Sequence, residues 1–289
     1  DAAVDHRGRL WFGSMDDRER APTGRVYVFD RGDVSAAPID PAIITNGPAI
    51  SPDGDTLYHV DTMGGRIVAY DIESDGSLGA RRAYSTRGTG TGGGLGNQGA
   101  IAFSDSGQWL LAVNPGSDSI SVFLNFGGRL FRTDTEASGG VRPVSVTIED
   151  DIVYVLNAGS DNLQGFRLSI YGTLTPISGS RRALSASGTA PAQVEFNRDG
   201  DLLAVTEKAT NRVLTFAVDG DGRLGPTQIQ DSPSPTPFGF AFGRRDQLLV
   251  SEAVGGAAGA STLSSYVLGG NGAASLVSSA VPSGQSAAC

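Results

Sequence analysis

The chain has 289 residues, with 22 Lys and Arg against 31 Asp and Glu and a formal net charge of −9, which leaves no basic surface for phosphate and excludes a nucleic-acid partner. With 41 Gly, 14 Pro and only 18% charged residues, it reads as a chain that turns often and holds little helix. No apolar run nears the roughly 18 residues of a membrane span, and the single cysteine, Cys289, excludes an intrachain disulfide and a cysteine-rich metal site.

The sequence opens on Asp1 without a charged and then apolar leader; a soluble protein of the cytoplasm or a secreted one both fit, and oligomeric state is open. The dominant signal is a repeat of about 44 to 51 residues, anchored at Pro48, Gly99, Pro143, Pro191, Pro237 and Pro282. A first unit runs from Asp1 to about Pro41. In the units that follow, an alternating strand leads into a polar hairpin turn: Ser51-Pro-Asp-Gly54, Ser104-Asp-Ser-Gly107, Glu149-Asp-Asp151, Asn197-Arg-Asp-Gly200 and Gly243-Arg-Arg-Asp246. Asp-Gly supplies the positive φ that tight hairpins need. A second strand comes next, as in Leu57-Tyr-His-Val60, Trp109-Leu-Leu-Ala-Val113 and Leu202-Leu-Ala-Val205, then a third, as in Arg66-Ile-Val-Ala-Tyr70 and Arg212-Val-Leu-Thr-Phe216, and a weaker fourth. One such sheet cannot cover both its faces, whereas sheets stacked around an axis can. The expected fold is therefore all-β, a β-propeller of about six four-stranded blades forming one domain. The tail Val281 to Cys289 reads as the innermost strand of one more unit, so an incompletely closed ring is expected. The Gly-rich run at 87–94 interrupts the pattern and reads as an exposed, poorly ordered junction between residues 1–86 and 95–289.

The first part carries Gly8-Arg9-Leu-Trp11-Phe12-Gly13-Ser14-Met15, Thr45-Asn46-Gly47-Pro48, Ser51-Pro-Asp-Gly54 and Leu78-Gly79-Ala-Arg81-Arg82. Residues 1–86 on these motifs resemble the SMP-30/gluconolactonase family of six-bladed, metal-dependent sugar-lactone hydrolases. Residues 95–289 resemble the seven-bladed propeller lactonases related to bacterial 6-phosphogluconolactonase. The segments that carry this are Leu95-Gly-Asn-Gln-Gly-Ala100, Gly140-Val-Arg-Pro-Val-Ser-Val146, Gly188-Thr-Ala-Pro-Ala-Gln193 and Val205-Thr-Glu-Lys-Ala-Thr-Asn-Arg212. Together they read as a hybrid or fragment of two propeller types.

Loops entering the inner strands and loops after the second strands share one face of a propeller, around the channel mouth. That face collects Asn46, Asn97, Gln98, Arg142, Gln193 and Gln285, and Asp17, Asp61, Asn114, Asn157, Glu207, Lys208 and Glu252. Taken singly, each of these also reads as a strand cap or an Asx-turn. The first resemblance implies that Asn46 is a metal ligand and that Asp17 contacts substrate. An amide oxygen suits a hard cation, Ca²⁺ above all, with Asp61 as a second ligand. The expected activity is opening of a sugar-type lactone by water, activated by Asp17, Asp61, Glu207 or Glu252 or by the cation. Asn97, Gln98, Arg142, Asn157 and Lys208 would hold the lactone or sugar-acid ligand. The rival reading is a propeller that binds a partner without catalysis, its site broken. A Ser-His-Asp triad has no support, because His59 is the only strand histidine and reads as structural. Gly88 to Gly93 lacks the βαβ unit a dinucleotide site needs. Asp219-Gly-Asp-Gly222 sits where the other units place a hairpin, and reads as a turn rather than a calcium loop.

Overall fold

The computed structural model describes residues 2–14, 21–42, 45–61, 66–85, 98–257 and 259–283. Six antiparallel sheets succeed one another along the chain, each a meander from an inner to an outer strand. Blade 1 holds β1 (Ala2–Val4), β2 (Leu10–Gly13), β3 (Val26–Asp30) and β4 (Asp33–Ala36); blade 2 holds β5 (Thr45–Ile50), β6 (Thr56–Asp61), β7 (Arg66–Ile72) and β8 (Leu78–Ser85). Blade 3 holds β9 (Ile101–Phe103), β10 (Trp109–Asn114), β11 (Ser119–Phe126) and β12 (Arg129–Ala137). Blade 4 holds β13 (Pro143–Glu149), β14 (Ile152–Asn157), β15 (Asn162–Leu168) and β16 (Leu174–Pro176), with the short β17 (Arg182–Ala183) also on β15. Blade 5 holds β18 (Pro191–Phe196), β19 (Leu202–Glu207), β20 (Arg212–Ala217) and β21 (Gln228–Asp231); blade 6 holds β22 (Pro237–Phe242), β23 (Gln247–Glu252), β24 (Thr262–Leu268) and β25 (Ala274–Pro282). The whole is a β-propeller, about 2% helical. Among the described residues no helix is long and apolar enough to cross a membrane.

The period-2 alternation of the second strands decides how the blades stack. Leu57 of β6 packs with Trp11 and Val26 of blade 1, while its neighbour Tyr58 packs with Leu110 and Phe123 of blade 3. Val153 and Val155 of β14 likewise face blade 3, and Tyr154 and Leu156 face blade 5. Blade 5 closes on blade 6 through Leu202, Ala204 and Val213 against Leu248, Val250 and Tyr266. Each fully buried Leu, Val or aromatic side chain at these faces contributes about 1.5–3 kcal/mol. A continuous core between blades thus replaces the one that a single sheet cannot make.

Two expectations change at this level. Val281 and Pro282 do not start an inner strand: they end β25, where Leu263 pairs with Val281 and Thr262 with Pro282. The apolar Leu276, Val277 and Val281 with small Ser and Ala between them make this outer strand as apolar as an inner one, so local composition alone could not separate them. The predicted junction at 87–94 lies outside the described residues. Hairpin chemistry is as expected: Asp219 Oδ1 accepts from the backbone N–H groups of Asp221 (3.0 Å) and Arg223 (2.8 Å), making Asp219–Gly222 a turn.

Candidate functional site in the central channel

The pairs Thr45 with Asp61, Pro143 with Asn157, Pro191 with Glu207 and Pro237 with Glu252 put the start of the inner strand beside the end of the second strand in blades 2, 4, 5 and 6. The predicted recurrence of polar residues at one end of the blades is therefore real. What those residues do differs from place to place.

Glu207 is fully buried. It accepts from the Ser185 backbone N–H at 2.9 Å, from the Ser185 hydroxyl, and from the Thr210 hydroxyl at 2.5 Å. Glu252, also fully buried, accepts from Ser232 at 3.2 Å and Thr262 at 2.7 Å. Ser185 and Ser232 belong to the crossovers that enter blades 5 and 6, so both carboxylates hold those crossovers down. Asn157 does the same for blade 4 by donating to the Ser138 carbonyl at 3.1 Å. Asn114 donates to Ser119 and Ser121 at 3.1 and 3.0 Å. Asp61 pairs with Arg66 at 2.8 Å. Arg142 is exposed at a positive φ of 55°, its backbone N–H donating to Asp118 at 2.6 Å, and Lys208 lies 5.0 Å above the Phe238 ring. Asp17, Asn97 and the Asn46 side chain lie outside the described residues. None of Asp61, Asn157, Glu207, Lys208 or Glu252 lines the central cavity.

That cavity, about 560 Å³, is lined by the inner strands, with Gln98, Thr147, Gln193 and Glu195 as its main polar side chains. Gln98 is carried there by its backbone N–H, which donates to the Ala192 carbonyl of β18 at 3.0 Å. Side chains also bridge the inner strands of neighbouring blades. Ser145 accepts from Val194 N–H at 3.1 Å, Thr147 from Phe196 N–H at 3.3 Å, and Gln193 Oε1 from Phe240 N–H at 2.9 Å. Gln193 Nε2 donates to the Phe240 carbonyl at 3.0 Å and to Glu195 Oε2 at 2.6 Å.

Glu195 is the one carboxylate among the described residues that lines the cavity. It reaches water through the cavity but is otherwise enclosed by protein. Burial raises its pKa to about 7, and the Gln193 hydrogen bond only partly offsets this. A carboxyl that titrates near neutrality in a concave, partly apolar site has the properties of a general acid or base. The sequence singled out Gln98 and Gln193 but missed Glu195. Its position in Pro191-Ala-Gln-Val-Glu-Phe196, a charged residue in the middle of an inner strand, was the available signal.

Among the described residues no three His, Cys, Asp or Glu side chains gather as a metal ion would need, and Asp61 is already ion-paired. The other expected ligand, the Asn46 side chain, lies outside the described residues, and the chemistry below is derived without a cation.

Residues 1–137 match the family model described as the SMP-30/Gluconolactonase/LRE-like region, a match that continues past residue 86. A 6-deoxy-6-sulfogluconolactonase of Pseudomonas putida is 33% identical over 96 residues, 32% of this chain and 32% of that protein, so the match spans about a third of that relative's length. Among solved structures, the periplasmic gluconolactonase of Pseudomonas aeruginosa is 18% identical with a TM-score of 0.77, covering 99% of this chain and 86% of the other. A Bacteroides uniformis structure described as a candidate 6-phosphogluconolactonase is 16% identical with a TM-score of 0.75, covering 97% and 85%. In its first 137 residues the chain is similar to the SMP-30/gluconolactonase region, and over nearly its whole length it has the fold of these solved propellers.

Proposed function

We propose that this chain is a hydrolase that opens a sugar-type lactone in the central channel, with Glu195 as general base. The observation that carries the reading is the one carboxyl that lines the cavity among the described residues, poised near neutral pH, in a propeller similar to gluconolactonases. In its ionised form Glu195 takes a proton from a water molecule as that water adds to the lactone carbonyl. The tetrahedral oxyanion needs donors, and the Thr147 hydroxyl, which accepts from Phe196, keeps its own proton to give. Collapse breaks the ring C–O bond, and protonated Glu195 returns the proton to the leaving alkoxide. The product is a hydroxy acid.

The cavity lining holds no Lys, Arg or His among the described residues. A phosphate or sulfonate would enter without a counter-ion beside a carboxyl, so an uncharged sugar lactone suits the site better than a charged one. The test is hydrolysis of a panel of uncharged, phosphorylated and sulfonated sugar lactones by the chain and its Glu195→Gln variant. The reading expects uncharged lactones to be preferred and the variant to lose about 10²- to 10⁴-fold in rate. A variant with full activity overturns it. Repeating the assay with EDTA, and with Asp17→Asn, tests whether a cation at Asn46 and Asp61, or Asp17 itself, carries the reaction instead.

A further inference from the structure

Ser145 and Gln193 hold equivalent places one blade apart. Ser145 follows a bulge in β13 and pairs with Leu156; Gln193 follows the matching bulge in β18 and pairs with Thr206. Each accepts a backbone N–H of the next inner strand, Ser145 from Val194 at 3.1 Å and Gln193 from Phe240 at 2.9 Å. A hydroxyl is therefore enough for this bridge. Gln193 brings something more, an amide nitrogen with two hydrogens to give.

The Phe240 backbone fixes which way that amide faces. Its N–H can meet only an oxygen and its carbonyl only a donor, so Oε1 and Nε2 of Gln193 cannot exchange places. The segment that imposes this is itself held: Thr206 donates to the Phe238 carbonyl at 2.6 Å and Ser251 to the Gly239 carbonyl at 2.9 Å. One hydrogen of Nε2 goes to the Phe240 carbonyl at 3.0 Å. The other goes to Glu195 Oε2 at 2.6 Å, across the two-residue step that puts both side chains on one side of β18. With both hydrogens engaged, Gln193 has no donor left for a ligand, although it lines the cavity. What it does there it does through Glu195.

We propose that Gln193 is a positioning residue for Glu195, a role that rests on the reading of Glu195 as general base: the locked amide holds Oε2 and leaves Oε1 as the oxygen that takes the proton from water and returns it to the leaving alkoxide. A carboxylate pinned at one oxygen keeps the other at a fixed place in the cavity, where a lost torsion need not be frozen again at each turnover. The same N–H favours the ionised form. No other charged side chain of the described residues lines the cavity. Burial raises the pKa of Glu195 to about 7, and the Gln193 hydrogen bond opposes that rise. Without the donor, Glu195 would keep its proton to a higher pH and act as a base only there.

Gln193→Met keeps the length of the side chain and removes the donor. The pH profile of kcat/KM should move up by about 1–2 units, the worth of one hydrogen bond to a charged group, so activity at pH 7 falls about 5- to 50-fold and recovers as pH is raised. Gln193→Glu keeps an acceptor for the Phe240 N–H but sets a second carboxyl beside Glu195, and should move the profile further up. Ser145→Ala removes the matching bridge one blade earlier; it should lower the melting temperature and leave the profile in place. Glu195 can also be titrated without substrate, as the carboxyl band in infrared difference spectra that Glu195→Gln lacks, and this band should shift with the profile in both Gln193 variants. Folded Gln193 variants whose profile and band stay where the parent has them overturn the proposal, and so does an equal shift in Ser145→Ala, which would reduce Gln193 to a strut. A fully active Glu195→Gln, with a band that still shifts in Gln193→Met, upholds the hydrogen bond and overturns the general base instead.

Discussion

Two buried titratable side chains respond to pH in opposite senses, and the difference separates catalysis from stability. Glu195 has its pKa raised by burial to about 7, so the folded state holds its proton where an unfolded glutamate has lost it. Its burial therefore costs stability as pH rises from about 4.5 to 7. Glu195→Gln should then melt higher than the parent at pH 8 and equally at pH 4, while activity is lost. In the parent, kcat/KM should rise with pH through about 7, as a base must be ionised to act. A gain in stability with a loss of rate excludes simple unfolding as the cause. His59 runs the other way. It is 2% exposed, neither ring nitrogen has a partner, and burial lowers its pKa to about 4. The unfolded chain binds a proton near pH 6.5, the native one only near 4, so stability falls as pH drops through that window. The loss reaches at most about 3.5 kcal/mol, at about 1.4 kcal/mol per pH unit. Melting curves of His59→Phe between pH 7 and 4 should lack this slope; an unchanged slope assigns the acid sensitivity elsewhere.

Strand ends and turns show what a sequence can and cannot disclose. The four-strand unit was legible because Asp-Gly turns and period-2 strands carry their own conformational signature, and the polar residues after the second strands recur where the pattern put them. Their task was not legible. Glu207 is spaced like a channel residue, yet Ser185, 22 positions earlier, brings its crossover onto the carboxylate, a contact that no local pattern announces. Glu207→Ala should cost about 2–3 kcal/mol by leaving the Ser185 N–H and two hydroxyls unpaired, and should leave lactone hydrolysis in the surviving folded fraction unchanged. A selective loss of kcat would return Glu207 to the chemistry. At the turns, Gly222→Ala and Gly32→Ala both force a side chain to positive φ, 76° and 103°. Only the first also drives a methyl into Ile152 and Ile177, so thermal melting should show the larger destabilisation at Gly222. Equal costs would mean that the close approach of Gly222 to Ile152 and Ile177 contributes nothing.

Across the whole molecule, stability should be graded by position in the ring, since blades touch their neighbours and little else. Blade 4 is covered on both faces: Val153, Val155 and Phe166 lie against blade 3, and Tyr154, Leu156 and Leu163 against blade 5. Blade 6 has Leu248, Val250 and Tyr266 buried on one face and Leu249, Leu263 and Val267 exposed on the other. Blade 1 has Trp11 and Val26 buried toward blade 2, with Val4, Phe29 and Val34 exposed. A blade packed on one side gives up about half the apolar burial of one packed on two, so it opens at a lower free energy. Amide hydrogen exchange should therefore be fastest in β1–β4 and β22–β25 and slowest in β10, β14 and β19, by at least tenfold. The carboxyl proposed as the base, Glu195, sits on β18, next to blade 6, so exchange in blade 6 should rise before activity falls as denaturant is added. Uniform exchange across all six blades would show one cooperative unit and remove the gradient, and with it the separation of blade 6 opening from loss of the site.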